Sequence, residues 1–364
     1  MKKILITFCE LFYGGAEKQF RELISRIDKT RFEIVAVVSC AYLGDIQLEA
    51  VKEFVKSHSD IKFYFLKGVV LPKNIAKKIK ISFCYKKQLK EIINKEKPDI
   101  TLIYSGMELS AAKICKHGGS KVIFSERESG NRGTLKLFRY KYLFRSVDKI
   151  VCNSLEAKRF YESKHIKADY IPNGIQKHEI LETKKADDVF SILVPARIAR
   201  VKNQELVINA VAHLTYLNYK VTFIGNQEDP EYLSYLKNLV TEKKINDKIE
   251  FLKFTDHIEQ LYQKTDLIIL PSLMEGFTNV LLESYMFGRI CLVSNIVMNK
   301  DVASPTQRFF STDDDLELSK QIMIVKNLSQ KDKEQEINVN HNHAVDHFSM
   351  ELMVDSYCRL FDSI

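Results

Sequence analysis

The amino-acid sequence predicts an α/β protein of two βαβ domains, each built on a parallel sheet, facing each other across a cleft. Three observations lead there. Short apolar runs alternate with stretches of helical periodicity, the pattern of right-handed βαβ units. The alternation is punctuated at Pro172-Asn173-Gly174, a turn signal, and a second series starts after the polar stretch 176–188. The chain has 364 residues, more than one ordinary domain. The expected boundaries are 1–172 for the first domain and 173–344 for the second. A terminal helix within 345–364 is expected to pack back toward the first domain.

In the first domain, residues 3–8 read as a strand. A loop with Gly14-Gly15 follows, then a helix over 16–27. Strand 32–39, helix 47–56 and short strand 62–66 come next. Residues 74–95 are helical, with 81–85 as a candidate interruption. Strand 100–104, helix 107–116, strand 121–125 and helix 134–144 continue the alternation. Strand 149–152 closes on Asn153-Ser154, and 155–163 is helical.

The second series has strands at 189–194, 220–224, 249–251, 266–270 and 290–294. Helices at 203–217, 231–242, 258–265 and 279–287 lie between them. The last helix follows a loop broken by Pro271, Ser272 and Gly276. Its apolar residues Val280, Leu281, Leu282, Tyr285, Met286 and Phe287 fall at helical spacing, and Gly288 stands where it should stop. Near the C-terminus Ser349 is placed to cap a helix with Met350, Met353, Val354, Tyr357, Leu360 and Phe361 on one face.

Composition excludes several classes. The chain is 45% hydrophobic and 28% charged, as globular chains with an ample core are. Lys2-Lys3 followed by an apolar run imitates a signal peptide, but the run is short and Glu10 interrupts it. Nothing approaches the roughly 18 apolar residues of a spanning helix. Seven scattered cysteines without a C-x-x-C pair read as reduced, mostly buried and cytosolic.

The net charge of +8 hides an asymmetry. Residues 1–170 carry 34 Lys and Arg against 19 acids, and 171–364 carry 21 against 28. Different partners for the two domains follow from this. The densest stretch, 61–90, holds nine lysines and no acid, interleaved with aromatic and aliphatic residues. Two readings fit it equally: a surface resting on anionic lipid, or a solvated face over core positions. No motif for nucleic acid accompanies the charge.

Ligands of open parallel sheets bind at the carboxyl ends of the strands, so the chemistry is sought in those loops. After strand 189–194 come Arg197, Arg200 and Lys202, three cations within six residues. A departing diphosphate needs such countercharge. Gly14-Gly15 lets backbone N–H groups approach phosphate. The loop 271–278 feeds a helix N-terminus, a site for an anion, and carries Glu275; Glu283 lies in the helix itself. Carboxylates there suit sugar hydroxyls better than phosphate.

Gly-Gly-Ala-Glu (14–17), Pro-Asn-Gly (172–174), Arg197 with Lys202, Phe223-Ile224-Gly225, Pro271-Ser272 and Glu-Gly-Phe-x5-Glu (275–283) occur in this order. The set resembles glycosyltransferase family 4, retaining enzymes of the GT-B fold, whose two domains are Rossmann-like. The resemblance runs from residue 3 to about 361. Within the family the sequence is most similar to bacterial enzymes of O-antigen and capsule assembly.

The resemblance implies roles. Arg197 and Lys202 hold the diphosphate of the donor, Glu283 the ribose hydroxyls, and Glu275 the donor sugar. Backbone N–H groups of Phe277, Thr278, Asn279 and Val280 meet the diphosphate or sugar. Gly14 and Gly15 close over it, and Lys253 and Phe254 line the base pocket. The donor implied is a UDP-sugar, with neither metal nor further cofactor. The acceptor implied is a lipid-linked glycan at an anionic membrane surface on the cytoplasmic side.

The sequence also departs from the family pattern. Where many relatives have a histidine, Ser125-Glu126-Arg127-Glu128 stands here. Glu126 or Arg127 either replaces it at the reacting sugar or forms structural ion pairs. Thr278 replaces a Pro or Gly, and a Gly-Gly after strand 290–294 is missing. Asp313-Asp314-Asp315 reads as the acidic start of a helix, and His341, His343 and His347 as part of a surface linker. Alternative functions are a nucleotide-sugar epimerase or hydrolase of the same fold, or a non-catalytic glycosyltransferase-like subunit. Retention of Arg197, Lys202, Glu275 and Glu283 argues against the last.

Overall fold

A computed structural model describes residues 1–8, 15–38, 45–66, 75–104, 109, 111–127, 144–182, 188–255 and 258–364, the side chains at 45–48 and 75–83 excepted. The chain forms two compact units. One comprises Met1–Gly174 and Met350–Ile364, the other Ile175–Ser349.

The first unit carries strands β1 (Lys2–Phe8), β2 (Phe32–Val38), β3 (Lys62–Phe65), β4 (Ile100–Ile103), β5 (Lys121–Glu126), β6 (Lys149–Cys152) and β7 (Asp169–Tyr170). They form one sheet of order β3-β2-β1-β4-β5-β6-β7, with every pairing parallel. Helices α1 (Gly15–Arg26), α2 (Asp45–Ser57), α3 (Ile75–Glu96), α4 (Ala112–His117) and α5 (Leu155–Glu162) connect them. A parallel sheet covered on both faces needs strands apolar throughout, and Ile4, Leu5 and Ile6 are all fully buried. The candidate interruption at 81–85 is absent, since α3 runs unbroken. The helix expected at 134–144 lies, apart from Phe144, outside the described residues.

The second unit carries β8 (Phe190–Pro195), β9 (Tyr219–Ile224), β10 (Ile249–Leu252), β11 (Leu267–Leu270), β12 (Ile290–Ser294) and β13 (Arg308–Phe310). Their order is β10-β9-β8-β11-β12-β13, again all parallel. This is the Rossmann order, which reverses direction between β8 and β11. Helices α6 (Gln204–Ala212), α7 (Pro230–Glu242), α8 (Ile258–Gln263), α9 (Asn279–Met286), α10 (Val297–Val302), α11 (Asp315–Lys326) and α12 (Gln330–Phe348) complete the unit. Asp314 caps α11 by accepting from the Glu317 amide at 2.8 Å.

The linker expected around the three histidines is instead α12. Its buried positions, Glu336, Asn340, Ala344 and Phe348, recur every four residues, but the first two are polar. Glu336 accepts from Arg308 Nη2 at 2.9 Å, and Asn340 Oδ1 from Thr306 Oγ1 at 2.8 Å. A face buried through polar partners leaves no apolar stripe for periodicity to detect. His341 and His343 bond the backbone carbonyls of His178 and Val302 at 3.0 and 3.2 Å.

Helix α13 (Met350–Asp362) returns to the first unit. Residues 345–348 therefore end α12, and the second unit runs to Ser349. Met350, Met353, Val354, Tyr357 and Phe361 join the core of β1, β2 and α1. Gly174 is needed beneath this helix, because a Cβ there would lie 2.7 Å from Met350 Cα. Gln19 brackets the same glycine, accepting from its N–H at 2.9 Å and donating to its carbonyl at 2.8 Å.

One buried acid fastens the first sheet to its helices. Glu96, 4% exposed, ends α3 and takes Lys62 Nζ at 2.6 Å and Lys3 Nζ at 3.6 Å, with Tyr64 donating its hydroxyl. Burial by itself raises the carboxyl's pKa. The bonds from Lys62 and Tyr64 and the charges of Lys62 and Lys3 outweigh it, so the group sits below its ordinary 4.5. A depressed folded pKa gives stability that is complete above the ordinary value and lost as pH falls through the folded one. Between pH 6 and 3, the urea midpoint of the wild type should fall more steeply than that of Glu96→Gln; parallel curves would show that this cluster adds nothing.

Candidate active site

The loops after β8 and β11 leave the second sheet at the point where its strand order reverses, the usual ligand position in such sheets. Backbone geometry brings them together. Gly225 lets β9 end against the first loop: a Cβ there would lie 2.3 Å from the Ala196 carbonyl oxygen. Ala196 N donates to Ile224 O at 3.0 Å, and Ile198 N to Asn226 O at 2.8 Å. Residues Arg200–Lys202 then form one 3₁₀ turn. Asn203, at φ 51°, takes the left-handed conformation that asparagine tolerates and redirects the chain into α6. Its side chain donates to Thr312 O at 2.9 Å. From the other loop, Leu273 N donates to Val201 O at 2.9 Å, tying the two segments beside Lys202.

This tie sets Lys202 against Glu275. Lys202 Nζ lies 2.6 Å from Glu275 Oε1, and the two side chains are 15% and 18% exposed. Ser272 Oγ donates to the same oxygen at 2.6 Å. A cation and a carboxylate from different loops thus form one reachable, partly desolvated pair.

Arg197 does not join this pair. It is about half exposed and paired with the equally exposed Glu228, a contact worth about 0–1 kcal/mol and readily exchanged. Lys253 is exposed beyond β10, and Phe254 is 63% exposed, an unusual place for a large ring. Phe277, in the loop before α9, and Asn279, Val280 and Glu283, within it, are partly exposed. Gly15 opens α1 in the first unit, while Gly14 lies outside the described residues.

Thr278 is expected to offer its backbone N–H, and its side chain is engaged elsewhere. It occupies the N-cap position of α9, yet its side chain makes no capping bond. It is 3% exposed, and its hydroxyl donates to Asn299 Oδ1 at 2.8 Å. Its side chain is thus turned into the protein rather than toward a sugar, and α9 begins without a side-chain cap. Asn279 N, at the first position of the helix, donates to Phe277 O at 3.0 Å, and the positive end of the helix dipole favours an anion beside this turn.

Glu126 departs from expectation. It is fully buried at the end of β5, where Tyr161 donates to its Oε2 at 2.7 Å. An interior carboxylate offers no face to a substrate, so the expectation of a catalytic Glu126 is corrected to a supporting one. The neighbouring Arg127 is partly exposed and lies over the Tyr104 ring, 4.0 Å from its centroid. Its guanidinium donates to Asn173 Oδ1 at 2.6 Å, to Tyr357 OH at 3.2 Å and to Tyr104 OH. Burial raises the Tyr104 phenol above its ordinary pKa, which keeps it neutral in this cluster.

Sequence reasoning did not find Ser272, Ser294, Asn299, Glu228 or Tyr357 as parts of these arrangements. Ser272 stands in the Pro271-Ser272 motif three residues from Glu275, but the partners of Ser294, Asn299, Glu228 and Tyr357 in other elements leave no mark on local spacing.

Two family models match adjoining parts of the chain: "Glycosyltransferase Family 4" over residues 13–179 and "Glycosyl transferases group 1" over 176–341. Among curated proteins, the chain is 26% identical over 347 residues to a Campylobacter jejuni GalNAc-alpha-(1->4)-GalNAc-alpha-(1->3)-diNAcBac-PP-undecaprenol alpha-1,4-N-acetyl-D-galactosaminyltransferase, covering 90% of this chain and 89% of that protein. It is 28% identical over 159 residues to the Escherichia coli O-antigen biosynthesis glycosyltransferase WclY, covering 41% of this chain and 44% of that one. Among solved structures, Anabaena Alr3699/HepE, crystallised with UDP and glucose, superposes with a TM-score of 0.81 at 15% identity over the whole of both chains. Two Rossmann-like parallel-sheet units, the ordered motifs and both family matches converge: the chain belongs to glycosyltransferase family 4 and has the GT-B fold.

Proposed function

We propose that this glycosyltransferase moves a hexose or N-acetylhexosamine from a UDP-sugar to a lipid-linked glycan during surface polysaccharide assembly, with retention at the anomeric carbon. The observation that carries the reading is the Lys202–Glu275 pair at the strand-order reversal of the second sheet. The named activity of the Campylobacter relative, which acts on an undecaprenol-linked glycan, supports the acceptor. The HepE complex with UDP supports the nucleotide.

In this reading Lys202 and Arg197 neutralise the diphosphate, Arg197 by exchanging Glu228 for it, so that no metal is required. The uncapped start of α9 adds backbone N–H donors. Phe254 and Lys253 receive the base, Glu283 accepts from the ribose, and Glu275 accepts from hydroxyls of the sugar. The acceptor oxygen forms a bond to the anomeric carbon on the face from which the diphosphate leaves. As the carbon–oxygen bond to phosphate breaks, the acceptor proton passes to the departing phosphate oxygen, releasing UDP. The basic first half seats the acceptor at the inner face of the membrane, on the cytoplasmic side. Among the described residues no helix is long and apolar enough to cross a membrane. Lys86, Lys87 and Lys90 are exposed on α3.

A panel of UDP-, GDP- and ADP-sugars tests the donor. UDP-sugars should raise the melting temperature and be consumed, and NMR of the glycan product should show a retained anomeric configuration. Stabilisation by another nucleotide alone, or an inverted product, overturns the respective part. Reversing Lys77, Lys78, Lys86 and Lys87 to glutamate should weaken binding to anionic vesicles several-fold at physiological salt. Unchanged binding would remove the membrane from the proposal.

A further inference from the structure

Behind Glu275 lies a chain of buried hydrogen bonds that no side chain of the proposed chemistry requires. Thr278 Oγ1 donates to Asn299 Oδ1 at 2.8 Å. Asn299 Nδ2 donates to Ser294 O at 2.8 Å and reaches Ser294 Oγ at 3.1 Å. Ser294 Oγ donates to Ser272 O at 2.6 Å, and Ser272 Oγ donates to Glu275 Oε1 at 2.6 Å. Ser294 and Asn299 are fully buried, and Ser272 and Thr278 are each 3% exposed.

The chain grips the loop 271–278 at both ends. Ser272 is the second residue after β11 and Thr278 the last before α9. Both are tied through Asn299 and Ser294 to the end of the neighbouring strand β12 and to α10. Between these two anchors lies the segment 273–277, with Glu275 at its centre and bonded to Ser272. Threonine at an N-cap normally bonds its own helix. Here that bond is given up, and the hydroxyl serves Asn299 while the first turn of α9 stays without a side-chain cap. A buried polar chain with its bonds made holds one geometry, since any slip leaves a buried group unpaired.

We infer that Asn299 and Thr278 are positioning residues, whose side chains hold the Glu275 loop in the geometry needed for sugar transfer without themselves touching the donor. The inference rests on the donor site proposed above. A charged or polar group misplaced by about 1 Å costs rate by orders of magnitude, while binding through other groups persists. The two residues therefore govern turnover more than donor affinity.

Thr278→Val keeps the shape and removes the donor; Thr278→Ser keeps the donor. The full-length chain is assayed with the UDP-sugar that the panel identifies. Thr278→Val and Asn299→Ala should each lower kcat about tenfold or more, with donor KM and UDP affinity within threefold of wild type. Thr278→Ser should recover most of the loss. The double variant should be no worse than the poorer single one, because both break the same bond. Folded Thr278→Val with kcat within twofold of wild type overturns the inference, as does a loss in Thr278→Ser equal to that in Thr278→Val. A rate loss matched by an equal loss of UDP affinity assigns the residues to binding and also overturns it. Failure of the proposed function reads differently: the wild type itself then turns over no nucleotide-sugar, and the inference falls with it.

Discussion

Glu275→Ala should lower sugar transfer by roughly 10²–10³-fold, the size of losing one preorganised electrostatic contact to a transition state, while the protein stays folded. Glu275 Oε1 accepts from both Lys202 and Ser272. The carboxylate is therefore already oriented before any donor arrives, and little reorganisation is left for the reaction itself. Its removal touches no core residue, so the melting curve should remain cooperative. Glu275→Gln separates charge from placement, because an amide oxygen still accepts from Ser272. If charge matters at the developing sugar cation, the glutamine variant falls nearly as far as the alanine. If only hydrogen bonding matters, it recovers most of the activity. Steady-state kcat and KM for both variants decide the point, and near-normal transfer by Glu275→Ala would remove this residue from the site.

Lys202→Ala should act on donor binding and turnover together, losing about 10²-fold or more in kcat/KM. Two effects combine. The ammonium is the cation that the structure places inside the loop pair, at 15% exposure, where water screens it less than it screens the half-exposed Arg197. Its loss also leaves the Glu275 carboxylate without its cationic partner, so an incoming diphosphate meets an uncompensated like charge. Lys202→Arg keeps the charge but replaces a compact ammonium with a planar fork, and recovers only part of the activity. Because the residues share one contact, the double variant Lys202→Ala/Glu275→Ala should be less impaired than the product of the single losses. Titration of UDP by calorimetry against both singles and the double measures this coupling directly. Independent, multiplicative losses would show that the pair is incidental.

Arg197 makes a useful contrast. Its partner Glu228 is exposed and its contribution is screened, so Arg197 variants should lose less than Lys202 variants and become more salt-sensitive. Three cations within six residues looked equivalent as a run. Burial ranks them: Lys202 is enclosed, Arg197 is half exposed, and Arg200 is exposed and turned over the Tyr232 ring, 5.2 Å from its centroid.

Local pattern was sufficient wherever apolar residues alone decide burial. Strands such as β1 and β11 are apolar runs because parallel sheets are covered on both faces. Helices α1, α7 and α13 show stripes at helical spacing because one face alone meets the core. Pattern failed where polar residues are buried through partners. Helix α12 hides behind Glu336 and Asn340. Asn299 and Ser294 carry no signal at all, since a lone serine or asparagine is far more often solvated. Nor could spacing tell that the side chains of Glu126 and Thr278 are enclosed in the fold.

By itself, then, the sequence determined the alternation of strand and helix, the two βαβ series, and the loops in which chemistry would be found. Those follow from periodicity and from the rule that parallel sheets bind at the carboxyl ends of their strands. Tertiary structure alone decided which side chains in those loops meet. Lys202 and Glu275 lie 2.6 Å apart although 73 residues separate them. Thr278 faces Asn299 rather than the site, and Glu126 is held by Tyr161. Such pairings depend on strand order and on where a loop's backbone is tied, as at Leu273 and Val201, and neither quantity is written in local spacing.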